Sequence, residues 1–226
     1  MWSPPLRKIE YVCPKDKGVL AASADALRCP VCRATYPVVR SIPILIDESS
    51  SVFRIHDYTG GSTYGGASGY GGAADSERSA VKRIYRKIYG KLSSPNIPYR
   101  FFKVEEAIAR VAAEHPEPRI LSVGTGELHY DHPGVVHTDV AFGKHVDCIC
   151  DAHDLPFADG EYDLVIACAV LEHVADPQRC VAEFHRVLRP DGMVYAVTPF
   201  LQPVHMAAYD FTRFTFVGHR RLFRYF

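Results

Sequence analysis

Five short apolar segments between residues 119 and 200 constrain the fold of this chain more than any other feature. They alternate with stretches of helical or loop character and cover residues 120–123, 135–139, 146–149, 162–168 and 193–197. Strands separated in this way are typical of a parallel sheet, because parallel neighbours need a crossover connection between them. We therefore predict an α/β fold built on a mostly parallel sheet with flanking helices.

Helices are predicted before and within this region. Apolar residues recur at helical spacing over residues 81–92, with lysines and arginines on the opposite face. A second helix is predicted over residues 99–114, ahead of two prolines. Asp176 and Pro177 indicate a third helix start, because Asp is a favoured N-cap and Pro fits the first turn. A turn at residues 190–192 should then lead into the last strand.

Composition divides the chain into three parts. Residues 1–48 are rich in Pro and Cys and end in an alternating β-branched run, which predicts a small β module. Residues 49–80 include a stretch, 60–72, with seven glycines in thirteen positions. We interpret this Tyr/Gly-rich part as a flexible linker, and the alternative is a lid whose tyrosines close over a ligand. Residues 81–226 contain the predicted sheet.

Charge and hydropathy exclude several classes of protein. The chain of 226 residues has 26 Lys+Arg and 26 Asp+Glu, so it has no overall attraction for nucleic acid or anionic lipid. Its longest apolar run covers residues 164–171, far short of the roughly 20 residues of a membrane span. The first residues lack the layout of a secretory signal. The number of cysteines, seven, is odd, and their spacing along the chain is uneven. We expect a cytoplasmic protein with no membrane span and no disulfide framework.

The carboxyl ends of the predicted strands carry residues suited to ligand binding, and parallel sheets bind ligands at that edge. Gly124 and Gly126 follow the first strand and let the backbone approach a ligand without an intervening Cβ. Asp139 ends the second strand, where a carboxylate can accept hydrogen bonds from two ribose hydroxyls. Asp151 follows the third strand, where it can accept a hydrogen bond from an exocyclic amine.

Four motifs occur in order through the same region. They are residues 151–157 (Asp-Ala-His-Asp-Leu-Pro-Phe), 162–166 (Tyr-Asp-Leu-Val-Ile), 170–174 (Val-Leu-Glu-His-Val) and 184–192 (Phe-His-Arg-Val-Leu-Arg-Pro-Asp-Gly). Together they resemble the class I S-adenosylmethionine-dependent methyltransferases of the type 11 group, over about residues 119–200. The resemblance implies a Rossmann-like sheet that binds S-adenosylmethionine. It also implies cofactor contacts at Gly124 and Gly126, a ribose contact at Asp139, adenine contacts at Asp151 and Ala152, and a methionine-side contact at Cys168.

The chain departs from this family in three places. Ser122 and Leu128 stand where the family usually has an acid and a third glycine, so the contact to the cofactor's amino group is altered or lost. Few residues separate Gly126 from Asp139, so the first crossover is predicted to be short or irregular. No strand pair is evident after residue 200, so we expect the final β-hairpin to be missing. An exposed sheet edge makes a homo-oligomer a further expectation.

Polar residues accumulate in the loops and after the last strand. One group permits a metal cluster, although we favour ordinary loop histidines: His129, Asp131, His132, His137, His145, His153 and Asp154. Methyl transfer needs a positioned acceptor and in some cases a base. Our candidates for those roles are His173, His205, Tyr209 and Asp210. The alternative is that residues 205–213 only cap the sheet.

Three cysteines near the start have the spacing of two metal-binding knuckles. Cys13 precedes the pair Cys29 and Cys32, and a Cys-x-x-Cys turn presents two thiolates to one ion. Residues 13–46 resemble the small zinc-ribbon-like domain of the tRNA and protein methyltransferase activator family, which is also found fused ahead of type 11 methyltransferases. Asp16 stands where that family often has its second cysteine. The resemblance implies a structural zinc ion on Cys13, Asp16, Cys29 and Cys32, and the alternative is a hydrophobic core without metal.

These features predict an S-adenosylmethionine-dependent methyltransferase whose acceptor is a small molecule or a glycan or lipid precursor. Two alternatives stay open. The altered glycine motif would permit a non-catalytic module that binds or activates a partner. The basic helix at residues 81–92 and the Arg- and Phe-rich residues 211–226 would suit a nucleic-acid methyltransferase, since aromatic and arginine side chains stack on bases. A last helix packed on the sheet is the interpretation that we favour for residues 211–226.

Overall fold

The computed structural model describes residues 9–23, 25–60, 102–201 and 209–226. The helix predicted over residues 81–92, the start of the next predicted helix, the Tyr/Gly-rich segment after Gly60 and the catalytic candidate His205 lie outside these ranges. The described strands are β1 (Ala21–Ala22), β2 (Ala26–Arg28), β3 (Thr35–Val39), β4 (Ile42–Leu45), β5 (Ile120–Val123), β6 (Val135–Asp139), β7 (Cys148–Cys150), β8 (Tyr162–Cys168) and β9 (Leu188–Val197). The described helices are α1 (Ile55–Thr59), α2 (Val104–Glu114), α3 (Pro177–Val187) and α4 (Phe216–Leu222).

The strands form one nine-stranded sheet in the order β1-β2-β3-β4-β7-β6-β5-β8-β9. All pairings from β4 to β9 are parallel, which confirms the predicted α/β fold with a mostly parallel sheet. The strands β5 to β8 are almost wholly buried, as the continuous apolar runs predict for strands covered on both faces. The chain order reverses at β5, between β6 and β8, and this is the position where such sheets bind ligands.

The connections differ from those of an ordinary doubly wound fold. No helix lies between β5 and β6, so the prediction of an irregular first crossover is confirmed. Helix α3 begins as predicted, because the Asp176 side chain accepts a hydrogen bond from the Arg179 N–H at 3.0 Å. The turn predicted at residues 190–192 does not precede the strand but falls within the bounds of β9, where Asp191 has a φ of +65°. Tyr162 pairs with Leu188 and Leu164 with Met193, so the extra residues of β9 form a bulge.

The N-terminal module joins the main sheet directly. Strands β1 to β4 pair antiparallel with one another, and β4 then pairs in parallel with β7. Cys13, Cys29 and Tyr36 of the module belong to the same buried cluster as Leu121 and Phe184 of the sheet region. Residues 9–46 and the parallel sheet therefore share a core.

Strand β9 is the last strand of the sheet on its side. Within the described residues that follow it, 198–201 and 209–226, there is one helix and no strand, so the usual final hairpin is missing from that part of the chain. No helix within the described ranges has the length and apolar character needed to cross a membrane.

Candidate functional site

A cavity of about 480 Å³ opens at the carboxyl ends of β5, β6, β7 and β8. The side chains and backbone that line it come from loops that are far apart in sequence. Parallel strands direct these loops to one edge of the sheet, which is why they meet. Every cofactor candidate from the sequence lies in the lining: Gly124, Gly126, Asp139, Asp151, Ala152 and Cys168.

The two glycines of the first loop have left-handed backbone conformations. Gly124 has a φ of +62°, and a Cβ there would lie 2.6 Å from Cγ2 of Val170. Gly126 has a φ of +55°, and a Cβ there would enter open space. Both positions favour glycine because other residues are strained at positive φ. At Gly126 the absence of a side chain also leaves the backbone open to a ligand.

Asp139 faces this loop from the end of β6. Its Oδ2 accepts a hydrogen bond from the Gly126 N–H at 2.7 Å, and its Oδ1 accepts one from the Ala141 N–H at 2.9 Å. Burial raises the pKa of this carboxyl, against the lowering effect of those backbone donors. Each carboxylate oxygen has a second lone pair. The group can therefore accept further hydrogen bonds, such as those that a ribose diol donates.

The Asp151 carboxylate is held by three hydrogen bonds from Ser51 and His153. Its Oδ1 accepts hydrogen bonds from the His153 N–H at 3.0 Å and the His153 Nδ1 at 2.6 Å, and its Oδ2 accepts one from the Ser51 hydroxyl at 2.5 Å. Burial raises the pKa of Asp151, but the hydrogen bonds from His153 and Ser51 outweigh it and hold the pKa below its ordinary value. The carboxylate is therefore ionised and fixed in orientation beside the cavity.

The Ser122 hydroxyl, on β5, has its hydrogen-bond partner in the loop that follows the strand. The Ser122 and Thr125 hydroxyls lie 2.6 Å apart, and both residues are buried. Ser122 is not part of the cavity lining, whereas Thr125 is. The Tyr130 hydroxyl lies 3.7 Å from the Cys168 sulfur at the end of β8, and burial raises the pKa of the Cys168 thiol. Cys168 is therefore a neutral thiol at neutral pH.

The structure separates the described catalytic candidates. His173 and Tyr209 line the cavity, whereas Asp210 does not. His173 Nδ1 lies 2.8 Å from the Tyr209 carbonyl oxygen and donates to it. The Asp210 carboxylate is paired with both terminal nitrogens of Arg213, with Nη2 to Oδ2 at 2.8 Å. That ion pair stabilises the charged carboxylate, so Asp210 is poorly suited to accept a proton.

The loop histidines do not converge on one point. The rings of His129 and His145 stack with centroids 4.0 Å apart, and His129 stacks on His137 at 5.2 Å. His153 points instead at Asp151. Within the described ranges, the only group of His, Cys, Asp and Glu side chains close enough to hold a metal lies in the N-terminal module.

That group consists of Cys13, Asp16, Cys29 and Cys32, whose candidate ligand atoms all lie within 4.8 Å of one another. The sulfurs of Cys13 and Cys32 are 3.7 Å apart, and the Cys29 sulfur is 3.3 Å from Asp16 Oδ1. Bonds of about 2.3 Å to sulfur and 2.0–2.2 Å to oxygen around a tetrahedral ion give separations of this size.

Two backbone turns shape this group. The Lys17 N–H donates to the Cys13 carbonyl at 2.8 Å, and the Arg33 N–H donates to the Cys29 carbonyl at 3.1 Å. The Tyr36 hydroxyl lies 3.1 Å from the Cys13 sulfur, where it can donate to a thiolate. The group offers four candidate ligand atoms, the number that a structural zinc site takes from the protein.

Several residues of the site were missed by the sequence interpretation. Ser51 and His153 orient Asp151, and Val52 and Phe53 line the cavity. The ring of Phe53 stacks on that of Tyr209 with centroids 5.9 Å apart. Ser51, Val52 and Phe53 lie outside every recognisable motif and gave no sequence signal.

The strand order and the cavity at the switch point define a Rossmann-like α/β fold. Residues 132–196 match the family model described as "Methyltransferase domain". The match covers less than half of the chain but includes β6, β7 and β8 and the loops after them, which supply most of the cavity lining.

Curated relatives are similar to part of the chain. The ubiquinone/menaquinone biosynthesis C-methyltransferase of Cupriavidus necator is 32% identical over 77 residues, 32% of this chain and 32% of that protein. The demethylmenaquinone methyltransferase of Parafrankia is 48% identical over 54 residues, 24% of this chain and 21% of that protein. The chain thus spans about a third or less of the length of these relatives.

Among solved structures, a complex between the Haloferax volcanii Trm112 methyltransferase activator and a putative methyltransferase is similar with a TM-score of 0.41 and 22% identity. The similarity covers 52% of this chain and 65% of that chain.

Proposed function

We propose that this protein transfers a methyl group from S-adenosylmethionine to a small-molecule acceptor or a glycan or lipid precursor. The observation that carries the proposal is the convergence of Gly126, Asp139 and Asp151 on one cavity at the switch point of a parallel sheet. The match of residues 132–196 to the methyltransferase domain model supports it. When bound, S-adenosylmethionine supplies an activated methyl group on a sulfonium centre.

The residues of the cavity fit the parts of that cofactor. The open backbone at Gly126 accommodates a close approach, and the spare lone pairs of Asp139 accept the two ribose hydroxyls. The ionised Asp151 accepts from the exocyclic amine of adenine, with Ala152 beside it. Cys168, on the wall next to β5, lies toward the methionine part and stays neutral near the sulfonium.

The acceptor side is formed by His173 and Tyr209. His173 Nδ1 donates to the Tyr209 carbonyl, and Nε2 lies 3.7 Å from Oε1 of the buried Glu172. These contacts fix the ring at the cavity, and the Glu172 carboxylate would stabilise the imidazolium that forms when His173 takes a proton from the acceptor. The Tyr209 ring and Phe53 form an aromatic wall against which a flat or apolar acceptor can pack. His173 is thus our candidate base, and Tyr209 orients the acceptor.

The apolar character of the cavity mouth favours an apolar acceptor. Val52, Leu128 and Phe211 line the cavity, yet 62%, 47% and 50% of their surfaces are exposed. Exposed apolar side chains around a cleft are typical of a binding surface for an apolar group. Relatives named for quinone biosynthesis support an acceptor with an aromatic ring or a lipid-like chain.

We also propose that Cys13, Asp16, Cys29 and Cys32 hold a structural zinc ion. The separations of the sulfur and oxygen atoms fit a tetrahedral ion, and the Tyr36 hydroxyl can stabilise the Cys13 thiolate. The ion would fix the two knuckles against the shared core and leave no open position for catalysis.

Titration calorimetry with S-adenosylmethionine and S-adenosylhomocysteine tests the proposed activity at its first step. We expect binding in about the micromolar range, and we expect Asp139→Ala to abolish it. Asp159→Ala is the matched control, since Asp159 is exposed and pairs with Arg186 away from the cavity. Failure of the unaltered protein to bind either compound would favour the alternative of a non-catalytic module that binds a partner.

A further inference from the structure

The segment that follows β4 reaches the cavity because β4 is a parallel strand of the main sheet. Ile44 pairs with Ile149 and Leu45 with Cys150, so the residues after β4 leave the same edge as Asp151. Strands that run in parallel deliver their following loops to one edge. Ser50, Val52 and Phe53 of this segment line the cavity, and Ser51 lies among them.

A compact turn fixes the position of this segment. The Asp47 carbonyl accepts hydrogen bonds from the N–H groups of Ser50 at 3.2 Å and Ser51 at 2.9 Å. The Asp47 side chain accepts from the Ser49 N–H at 3.0 Å and the Ser49 hydroxyl at 2.7 Å. Ser51 is buried, so its hydroxyl stays among these groups rather than in solvent.

The direction of the Ser51 hydroxyl follows from its partners. The Phe53 N–H donates to the Ser51 oxygen at 3.1 Å, so the hydroxyl proton is available for the Asp151 carboxylate at 2.5 Å. His153 donates twice to the other oxygen of Asp151. Each carboxylate oxygen accepts about two hydrogen bonds, so Oδ2 has one acceptor position left.

We propose that Ser51 is a positioning residue that makes Asp151 selective for an adenine amine. His153 occupies both acceptor positions of Oδ1, and Ser51 occupies one of the two positions of Oδ2. The carboxylate therefore offers a single acceptor position at the cavity. An exocyclic amine donates a hydrogen bond to that position. A carbonyl in its place, as in hypoxanthine, presents an oxygen to the carboxylate and is repelled. The inference rests on the proposed function and extends the cofactor site to the N-terminal segment.

The test compares the affinities of S-adenosylhomocysteine and S-inosylhomocysteine, which carries the carbonyl, for the full chain by calorimetry. We expect Ser51→Ala to weaken S-adenosylhomocysteine binding about tenfold and to change S-inosylhomocysteine binding less than about threefold. The reason is that only S-adenosylhomocysteine has an amine that donates a hydrogen bond to the Asp151 carboxylate. Ser51→Thr keeps the hydroxyl and should restore the preference. Ser23→Ala is the control, since the Ser23 hydroxyl donates to the Ala26 carbonyl at 2.9 Å in the N-terminal hairpin and takes no part in the turn or in the contact to Asp151.

The outcomes separate this inference from the proposed function. If the unaltered protein binds neither compound, both proposals fail. If it binds S-adenosylhomocysteine and Ser51→Ala leaves the preference for adenine unchanged, or weakens both ligands equally, the positioning role is refuted and the proposed function stands. If Ser51→Ala does not fold, Ser51→Cys replaces it, because a thiol has nearly the same size but is a weak donor. An unchanged preference in that variant would equally refute the role.

Discussion

Alanine at Gly124 or Gly126 should separate the stability of the first loop from its ability to bind a ligand. Both glycines have positive φ, which costs a non-glycine residue about 1–2 kcal/mol. Only at Gly124 does the new Cβ also meet a neighbour, 2.6 Å from Val170 Cγ2, and such overpacking adds about 1–3 kcal/mol. We therefore expect a loss in unfolding free energy of about 2–5 kcal/mol for Gly124→Ala and about 1–2 kcal/mol for Gly126→Ala.

Thermal unfolding and calorimetry measure the two effects. At about 2–4 °C per kcal/mol for a chain of this size, Gly124→Ala should lower the Tm clearly more than Gly126→Ala. Gly126→Ala should nevertheless bind S-adenosylhomocysteine more weakly, because its Cβ enters the cavity. Val170→Ala combined with Gly124→Ala should recover part of the Tm. Equal Tm values for the two glycine variants, or no recovery with Val170→Ala, would refute this account of the loop.

Three further outcomes follow from the structure. Metal analysis should find about one zinc ion per chain, lost in Cys32→Ser but kept in Cys180→Ala, a buried core position. The pKa of Asp151 is lower in the folded protein than the ordinary carboxyl value of about 3.9. The ionised group therefore stabilises the fold above that ordinary value, and this stabilisation is lost as the pH falls through the lower folded pKa. Asp151→Asn should thus flatten the acid limb of a profile of Tm against pH. Once an acceptor is found, His173→Asn should lower kcat about 10²–10⁴-fold with the affinity for S-adenosylhomocysteine unchanged, whereas His219→Asn should not. The zinc prediction would be contradicted if Cys32→Ser kept its zinc, and the pH prediction if Asp151→Asn left the acid limb unchanged. The catalytic prediction would be contradicted if His173→Asn kept the full rate.

The parallel sheet could be predicted because its signal is local. Each buried strand is a short apolar run, and the acid at its carboxyl end, as at Asp139, is placed by the strand itself. The bulge in β9 was missed because Pro190, Asp191 and Gly192 have the composition of a turn. The turn preference is met inside the strand instead: these residues have no partner in β8, Asp191 has a φ of +65°, and pairing resumes at Met193.

The contribution of Ser51 could not be predicted in the same way. Ser51 and Asp151 are 100 positions apart, and their contact depends on the pairing of β4 with β7. Nothing in the sequence of either strand specifies the other as its partner. The cysteine group is an intermediate case, since the Cys-x-x-Cys turn of Cys29 and Cys32 is local, whereas Cys13 and Asp16 were assigned to it by resemblance to a known family.

A crystal structure of the protein with S-adenosylhomocysteine tests the central claim most directly. The account predicts the ligand in the cavity at the ends of β5 to β8, with both ribose hydroxyls on Asp139 and the adenine amine on Asp151 Oδ2. Ligand density elsewhere on the molecule, or ribose hydroxyls with no contact to Asp139, would contradict it.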